Sequence, residues 1–239
     1  MIDTKVITLT TYNRAHYLRQ SMEALSQCCG ISDYTLVVSA EPGFRDVLDV
    51  IKGIKFCNVV LNINPRVFGN SLNTLTAIGR GFEITDFFVI HLEDDVVFAR
   101  DALLMFEECA KKYRNNPHVF SVTAYNSEGC AQSEENINRL SFRQWFHPWG
   151  WGTWKHKYDA IAGSWPMRNW DIHINTRLRN GRFEIFPIMS RSQNIGVTGG
   201  VHSNYYDETW YQKNHFATSF SRSHFNNYTW QHDLDNFNL

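Results

Sequence analysis

The chain has 239 residues, with 23 Lys plus Arg against 24 Asp plus Glu, a formal net charge of −1, and 43% hydrophobic residues. That length suits one large domain or two small ones, and the composition supports a packed core and excludes a disordered chain. The balanced charge argues against bulk binding to nucleic acid or anionic membrane, both of which rely on a basic surface.

In chain order, residues 6–11 read as a short strand broken by Tyr12-Asn13-Arg14, and 16–27 as a helix with Leu18, Met22 and Leu25 at helical spacing. A second strand over 34–40 ends in the turn Glu41-Pro42-Gly43. A helix over 44–54 then places Val47, Leu48 and Ile51 on one face. A third strand spans 58–63, and a third helix, 69–81, carries Leu72, Leu75 and Ile78. The wholly apolar strand at 87–92 suits the buried centre of a parallel sheet. A helix over 102–113 stops at Asn115-Asn116-Pro117, and a fifth strand covers 119–125. This alternation predicts an α/β fold with a mostly parallel, doubly wound sheet and helices on both faces. In such sheets ligands bind beyond the carboxyl ends of the strands.

The second half reads differently. Residues 127–139 form a polar surface excursion, and 142–154 are dense in aromatics and glycine. A short helix is expected over 171–180, a strand over 184–188 and a Gly- and Ser-rich loop over 196–203; residues 204–239 receive no assignment. No linker separates two domains. The five cysteines are odd in number and lack a CxxC pair, which argues against a disulfide framework or a zinc site and for a reducing compartment. The apolar stretch from Val6 to Leu9 is too short for a signal peptide or membrane anchor, so a cytoplasmic protein with no integral membrane segment is expected.

Chemistry concentrates in a few places. The apolar strand at 87–92 runs into Glu93-Asp94-Asp95. Three acids at one strand end repel one another unless a cation sits there. Carboxylates and water suit Mg²⁺ or Mn²⁺, which keep open positions for phosphate oxygens. The bland alternative is a solvated acidic loop. Thr10, Thr11, Tyr12, Asn13 and Arg14 supply hydroxyls, a ring and a cation where a nucleotide would lie, and neither GxGxxG nor a P-loop occurs. The stretch from Trp145 to Trp154 offers rings that pack on sugars, or else a buried aromatic cluster. Asp171, after Trp170, is either a helix cap or a carboxylate able to take a proton from a sugar hydroxyl. His202, after Gly199-Gly200, is a metal or phosphate ligand or a surface histidine.

Together these motifs resemble the GT-A glycosyltransferases, and especially the N-acetylglucosaminyltransferase I type with its bacterial and viral relatives. The likeness runs from about Val6 to Ser203 through Leu9 to Arg14, Val37 to Glu41, His91 to Asp95, Val122 to Asn126, Pro148 to Trp154, Trp170-Asp171 and Ser192 to Ser203. It implies one GT-A domain over 1–239, with a nucleotide-sugar-binding half (1–126) and an acceptor half (127–239). The implied reaction is inverting transfer from a nucleotide-diphosphate sugar, with a UDP-sugar favoured. The acceptor would be a glycan, a lipid-linked sugar or another hydroxyl compound, and no nucleic acid would be a partner.

The resemblance also implies roles. Asp95 would ligate Mn²⁺ (or Mg²⁺), with His202 a second candidate ligand from its place on the Gly-rich loop. Asp94 would face the ribose and Glu93 would support the site. Thr10, Thr11, Tyr12 and Arg14 would line the nucleotide, Glu41 would face the base and Asn73 would bind the donor. Asp171 would be the catalytic base, and Trp149, Trp151 and Trp170 would receive the acceptor. Two departures stand out: Glu41 replaces the family's usual Asp, and Ile172 replaces a second acid. The rival readings are a sugar nucleotidyltransferase, a non-catalytic carbohydrate-binding protein and a donor hydrolase.

Overall fold

The computed structural model describes residues 4–126, 138–196 and 229–230. Strand β1 (Lys5–Thr11) leads into helix α1 (Ala15–Ser26), and a 3-10 turn at Ile31–Asp33 leads into β2 (Tyr34–Ala40). Then come α2 (Arg45–Lys52), β3 (Asn58–Ile63), α3 (Gly69–Phe82), β4 (Phe88–Glu93), the short β5 (Val96–Phe98), α4 (Ala102–Lys112) and β6 (Val119–Thr123). The second half supplies β7 (Arg139–Arg143), β8 (Trp151–Trp154), α5 (Lys155–Ala162), α6 (Trp170–His173), β9 (Phe183–Pro187), β10 (Ser192–Asn194) and β11 (Thr229–Trp230). A π-helical turn at Ile174–Leu178 continues α6.

Nine strands form one sheet in the order β11-β7-β9-β6-β8-β4-β1-β2-β3, and β5 pairs with β10 in a separate ribbon. The strands β4, β1, β2 and β3 run parallel, which follows from their βα connections. Strand β8 enters antiparallel between β4 and β6. The fold is therefore the mostly parallel, doubly wound α/β sheet the alternation predicts. Leu18 and Leu25 of α1, Val47 and Ile51 of α2 and Phe106 of α4 pack on one face. Ile78 and Phe82 of α3, Tyr158 and Ile161 of α5 and Trp170 of α6 pack on the other. Each such fully buried side chain contributes on the order of 1.5–3 kcal/mol.

The aromatic stretch corrects one expectation. Trp151 and Trp154 are both 0% exposed. They belong to β8, with Trp151 opposite His91 of β4 and Trp154 opposite Phe88. Trp151 thus lies inside the sheet core and has no face for an acceptor. Trp170 is also buried, stacked on Trp151 and Trp165 with ring centroids 5.9 and 5.4 Å away. Gly152 between the two core tryptophans is required by packing, since a Cβ there would lie 2.5 Å from the Phe88 ring and 3.0 Å from the Val89 carbonyl.

Candidate functional site

The carboxyl ends of β1 and β4 meet at the acidic triplet. Parallel pairing sets Thr10 beside Glu93, and the turn after β4 brings Asp94 and Asp95 under the start of α1. Arg14 immediately precedes that helix and reaches both acids. Its Nη2 donates to Asp94 Oδ1 at 2.5 Å and its Nη1 lies 2.7 Å from Asp95 Oδ2. Asp94 Oδ2 also accepts from Thr11 Oγ1 at 3.1 Å and from the Tyr12 backbone N–H at 3.3 Å. Asp95 Oδ1 accepts from Asn194 Nδ2 at 3.3 Å, and its backbone carbonyl accepts from Ile195 N at 2.8 Å. Asp94 and Asp95 are both buried. Gly196 closes the turn beside them, and a Cβ there would collide with Asp95 Oδ2.

One guanidinium faces three carboxylates, so positive charge is short. Burial, then repulsion from Asp95, pushes Glu93 up from the usual carboxylate range. Burial also pushes Asp95 up, against the opposing pull of Arg14. Burial works against the charge on Arg14 as well, but Asp95 and Asp94 outweigh it and raise its pKa further. Among the described residues no group of three or more His, Cys, Asp or Glu forms a ready metal cage. His91, just before the triplet, is a core residue. Its Nδ1 lies 3.0 Å from Thr8 Oγ1, and burial lowers its pKa to about 3, so it is neutral.

Two expected donor contacts turn inward. Glu41 is buried, and its carboxylate accepts from Phe68 N at 3.0 Å, Gly69 N at 2.8 Å and Asn64 Nδ2 at 3.1 Å. It caps the start of α3, where the helix dipole favours an anion, instead of presenting itself to a base. Asn73 is likewise buried, donating to the Ser39 carbonyl at 3.2 Å and accepting from Asn64 at 2.8 Å. It belongs to the network that holds the turn before α3. Tyr12, by contrast, is exposed and packs edge-on against Phe44 at 4.8 Å.

Asp171 lies on α6, half-buried, and no hydrogen bond or ion pair engages its carboxylate among the described residues. Helix α6 is too short to be stable alone and starts at Asn169 with φ of 51°. Contacts from elsewhere fix it. The Trp170 indole N–H donates to Asn70 Oδ1 at 2.7 Å, and Asn70 Nδ2 reaches Glu93 Oε1 at 3.4 Å. One turn on, Asn175 accepts from Phe146 N at 2.6 Å and donates to Phe146 O at 3.1 Å. The loop before α6 is tied to α3 through Ser71 Oγ to Pro166 O at 2.5 Å and Trp165 Nε1 to Ser71 O at 3.0 Å.

On β9, Glu184 accepts from Arg143 Nη2 at 3.0 Å and His147 N at 2.9 Å. Burial nonetheless pushes Glu184 up to about 7. Trp149 is half-buried, edge-on to Tyr125 at 4.7 Å and stacked near His147, while Trp145 is 60% exposed. His202 lies outside the described residues. Asn70 and Asn175 escape sequence reasoning, and Asn194 and Gly196 enter it only as part of the stretch from Ser192 to Ser203. The spacing of four between Asp171 and Asn175 is the only sequence signal, and it places them on one helix face.

Comparison with known proteins fits this geometry. The GNT-I family model matches residues 73–224, and the N-acetylglucosaminyltransferase II (MGAT2) model matches residues 2–68. An alpha-1,6-mannosyl-glycoprotein 2-beta-N-acetylglucosaminyltransferase from Arabidopsis thaliana is 40% identical over 63 residues, which is 26% of this chain and 15% of that enzyme's length. Among solved structures, S. aureus TarS 1–349 in complex with UDP-GlcNAc superposes with a TM-score of 0.60 at 10% identity, covering 88% of this chain and 64% of that one. The mannosyltransferase PcManGT from Pyrobaculum calidifontis, in complex with GDP-Man and Mn²⁺, gives 0.55 at 15% identity, covering 77% and 55%. At these identities the structural likeness concerns the fold, and the fold is GT-A. With one family model matched along more than half its length, the chain belongs to the GNT-I family.

Proposed function

We propose that the protein transfers a sugar, with inversion, from a nucleotide-diphosphate sugar to an acceptor hydroxyl, with Asp171 as general base and Asp95 as ligand of a divalent cation. The observation that carries this reading is the start of α3. Through Asn70 it ties Glu93 of the acidic triplet to the indole of Trp170, the residue before Asp171. A donor held at the triplet and a base facing an acceptor need that adjacency.

The residues suit Mn²⁺ or Mg²⁺. Such ions take hard oxygen ligands, often only one or two carboxylates, and complete their shell with water and phosphate oxygens. Asp95 offers carboxylate oxygens at a spot where a single guanidinium faces three acids, and Gly196 lets the backbone approach that carboxylate so closely that a Cβ would collide with it. A cation bound there supplies charge neutralisation for a departing diphosphate. The chain's own residues do the rest. Arg14 holds Asp94 and Asp95 in register, and Thr11 and Tyr12 fix Asp94 from β1. Asp171 takes the proton of the attacking hydroxyl. A nucleotide-sugar donor is supported by the UDP-GlcNAc and GDP-Man bound to the two structural neighbours, and the name of the Arabidopsis relative supports N-acetylglucosamine as the sugar moved. The acceptor is a glycan, lipid-linked sugar or other hydroxyl compound, approaching past Trp149.

The test is Asp171→Asn. Donor binding, read by calorimetry with UDP-GlcNAc and Mn²⁺, is expected to stay unchanged while transfer falls on the order of 10²–10⁴-fold. Normal turnover by that variant would remove the base assignment.

A further inference from the structure

The motifs that carry family resemblance say nothing about how Asp171 is held, and the structure answers that with one side chain. Asn70 lies on the first turn of α3, between the acidic triplet and the helix that bears Asp171. An indole N–H can only donate. Trp170 therefore fixes the amide orientation, with Asn70 Oδ1 towards the indole at 2.7 Å. The amide nitrogen is then necessarily turned away, and it faces Glu93 Oε1 at 3.4 Å. Both ends of the amide are engaged, one by each half of the site. Thr74 Oγ1, one turn along α3, adds a second donor to Asn70 Oδ1 at 3.4 Å.

The need for such a tie follows from α6 itself. It has four residues, no side-chain cap and a left-handed residue before it, then passes directly into a π-helical turn. Helices of that length do not hold their own position. The indole stack onto Trp151 and Trp165 fixes the plane of Trp170, but stacking alone allows sliding within that plane. A hydrogen bond in the ring plane, at the indole edge, removes that freedom. Asp171 is the next residue along, so a slide of Trp170 displaces its carboxylate directly.

We propose that Asn70 is a positioning residue, which sets the placement of the Asp171 carboxylate relative to the acidic triplet by bridging Trp170 to Glu93. The proposal rests on the reading of Asp171 as the base. It assigns Asn70 no contact with donor or acceptor. Its effect belongs in the turnover step, since a misplaced base leaves the nucleotide site as it was.

The experiment is a double-mutant cycle of Asn70→Ala and Asp171→Asn, read as kcat for sugar transfer, donor Kd by calorimetry and melting temperature. Asn70→Ala alone is expected to lower kcat about tenfold, the loss of one part-buried hydrogen bond expressed in a rate, with donor Kd within about twofold. Combined with Asp171→Asn, it is expected to lower kcat no further, because the base whose placement it controls is already gone. A merely structural role would lower the melting temperature and multiply the loss in both backgrounds. An equal loss of kcat in the two backgrounds, or a donor Kd weakened as much as kcat, overturns the proposal. If Asp171→Asn alone turns over normally, the base reading falls and the proposal with it. An inactive Asp171→Asn with an additive cycle refutes the role of Asn70 only.

Discussion

Replacing Arg14 with methionine tests the electrostatic core of the site. Methionine keeps an unbranched apolar stem and removes the guanidinium, so the loss is mainly of charge and hydrogen bonding. Arg14 is the cation that spans Asp94 and Asp95, whose side chains are only 4% and 8% exposed. Without it, Asp94 Oδ2 keeps its bonds from Thr11 and the Tyr12 N–H, and Asp95 Oδ1 keeps Asn194. Asp94 Oδ1 and Asp95 Oδ2 lose the donors described above. A buried polar atom left without a partner costs about 1–3 kcal/mol, and breaking a buried pair from one side costs about 3–5 kcal/mol. Two orphaned atoms with partly retained neighbours thus give about 4 kcal/mol. At roughly 2–4 °C per kcal/mol for a chain of this size, Arg14→Met should melt about 10 °C lower in the presence of EDTA. Adding excess Mn²⁺ in place of EDTA should recover part of that loss, because a cation that binds only the folded state stabilises it by mass action. Differential scanning fluorimetry of both proteins under both conditions reads this directly. Equal melting temperatures in EDTA would refute the claim that Arg14 compensates the buried acids.

Three other perturbations probe different links. Gly196→Ala pushes a methyl group into Asp95 Oδ2, so Mn²⁺-dependent donor affinity should weaken at least about tenfold by calorimetry, a cost of roughly 1.4 kcal/mol, while the melting temperature changes little. Gly152→Ala forces a Cβ against Phe88 and the Val89 carbonyl in the centre of the sheet; overpacking of that kind costs about 1–3 kcal/mol, measurable by urea denaturation at unchanged m-value. Burial pushes Glu184 up to about 7 from an ordinary value of 4.5. Between those values the folded protein retains a proton that the unfolded chain releases, so its stabilising contribution is complete below pH 4.5 and is lost as pH rises through 7, by up to about 3 kcal/mol. Thermal melts from pH 4.5 to 8 should show that slope in the native protein and a flatter one in Glu184→Gln; identical slopes would count against a buried, proton-retaining carboxyl.

The sheet was legible where its signals are local. Strands β2 and β3 coincide with the sequence reading to the residue, because each is an apolar, β-branched run closed by turn residues. The acids after β4 could be singled out because a buried strand rarely ends in three carboxylates. What escaped was set by long-range pairing. A stretch such as Trp151-Gly152-Thr153-Trp154 looks the same whether its rings face a ligand or a core, and only insertion between β4 and β6 decides for the core. Glu41 reads as a strand-end acid awaiting a ligand, yet the N-terminus of α3, 28 residues later at Gly69, takes its carboxylate. Strand β5 is three residues long and pairs with β10 almost a hundred positions away, beyond the reach of any local pattern.

That same antiparallel insertion explains how one chain assembles a two-sided site. Because β8 runs against β4, its first residue, Trp151, lies opposite His91, close to the carboxyl end of β4, while its last, Trp154, lies opposite Phe88 at the other end. The segment that feeds β8, with Trp149 and His147, therefore arrives beside the acidic triplet without any special loop. Helix α5 leaves from the far end of β8, and the return past Ser164 brings Trp165 and Pro166 onto the start of α3. From there the chain runs into Trp170, whose indole bonds Asn70, and on to Asp171. The position of Asp171 is thus fixed by strand direction first and by hydrogen bonds second. A donor site at the end of a parallel βα unit becomes a site with a candidate base because one reversed strand makes the following helix cross back over it.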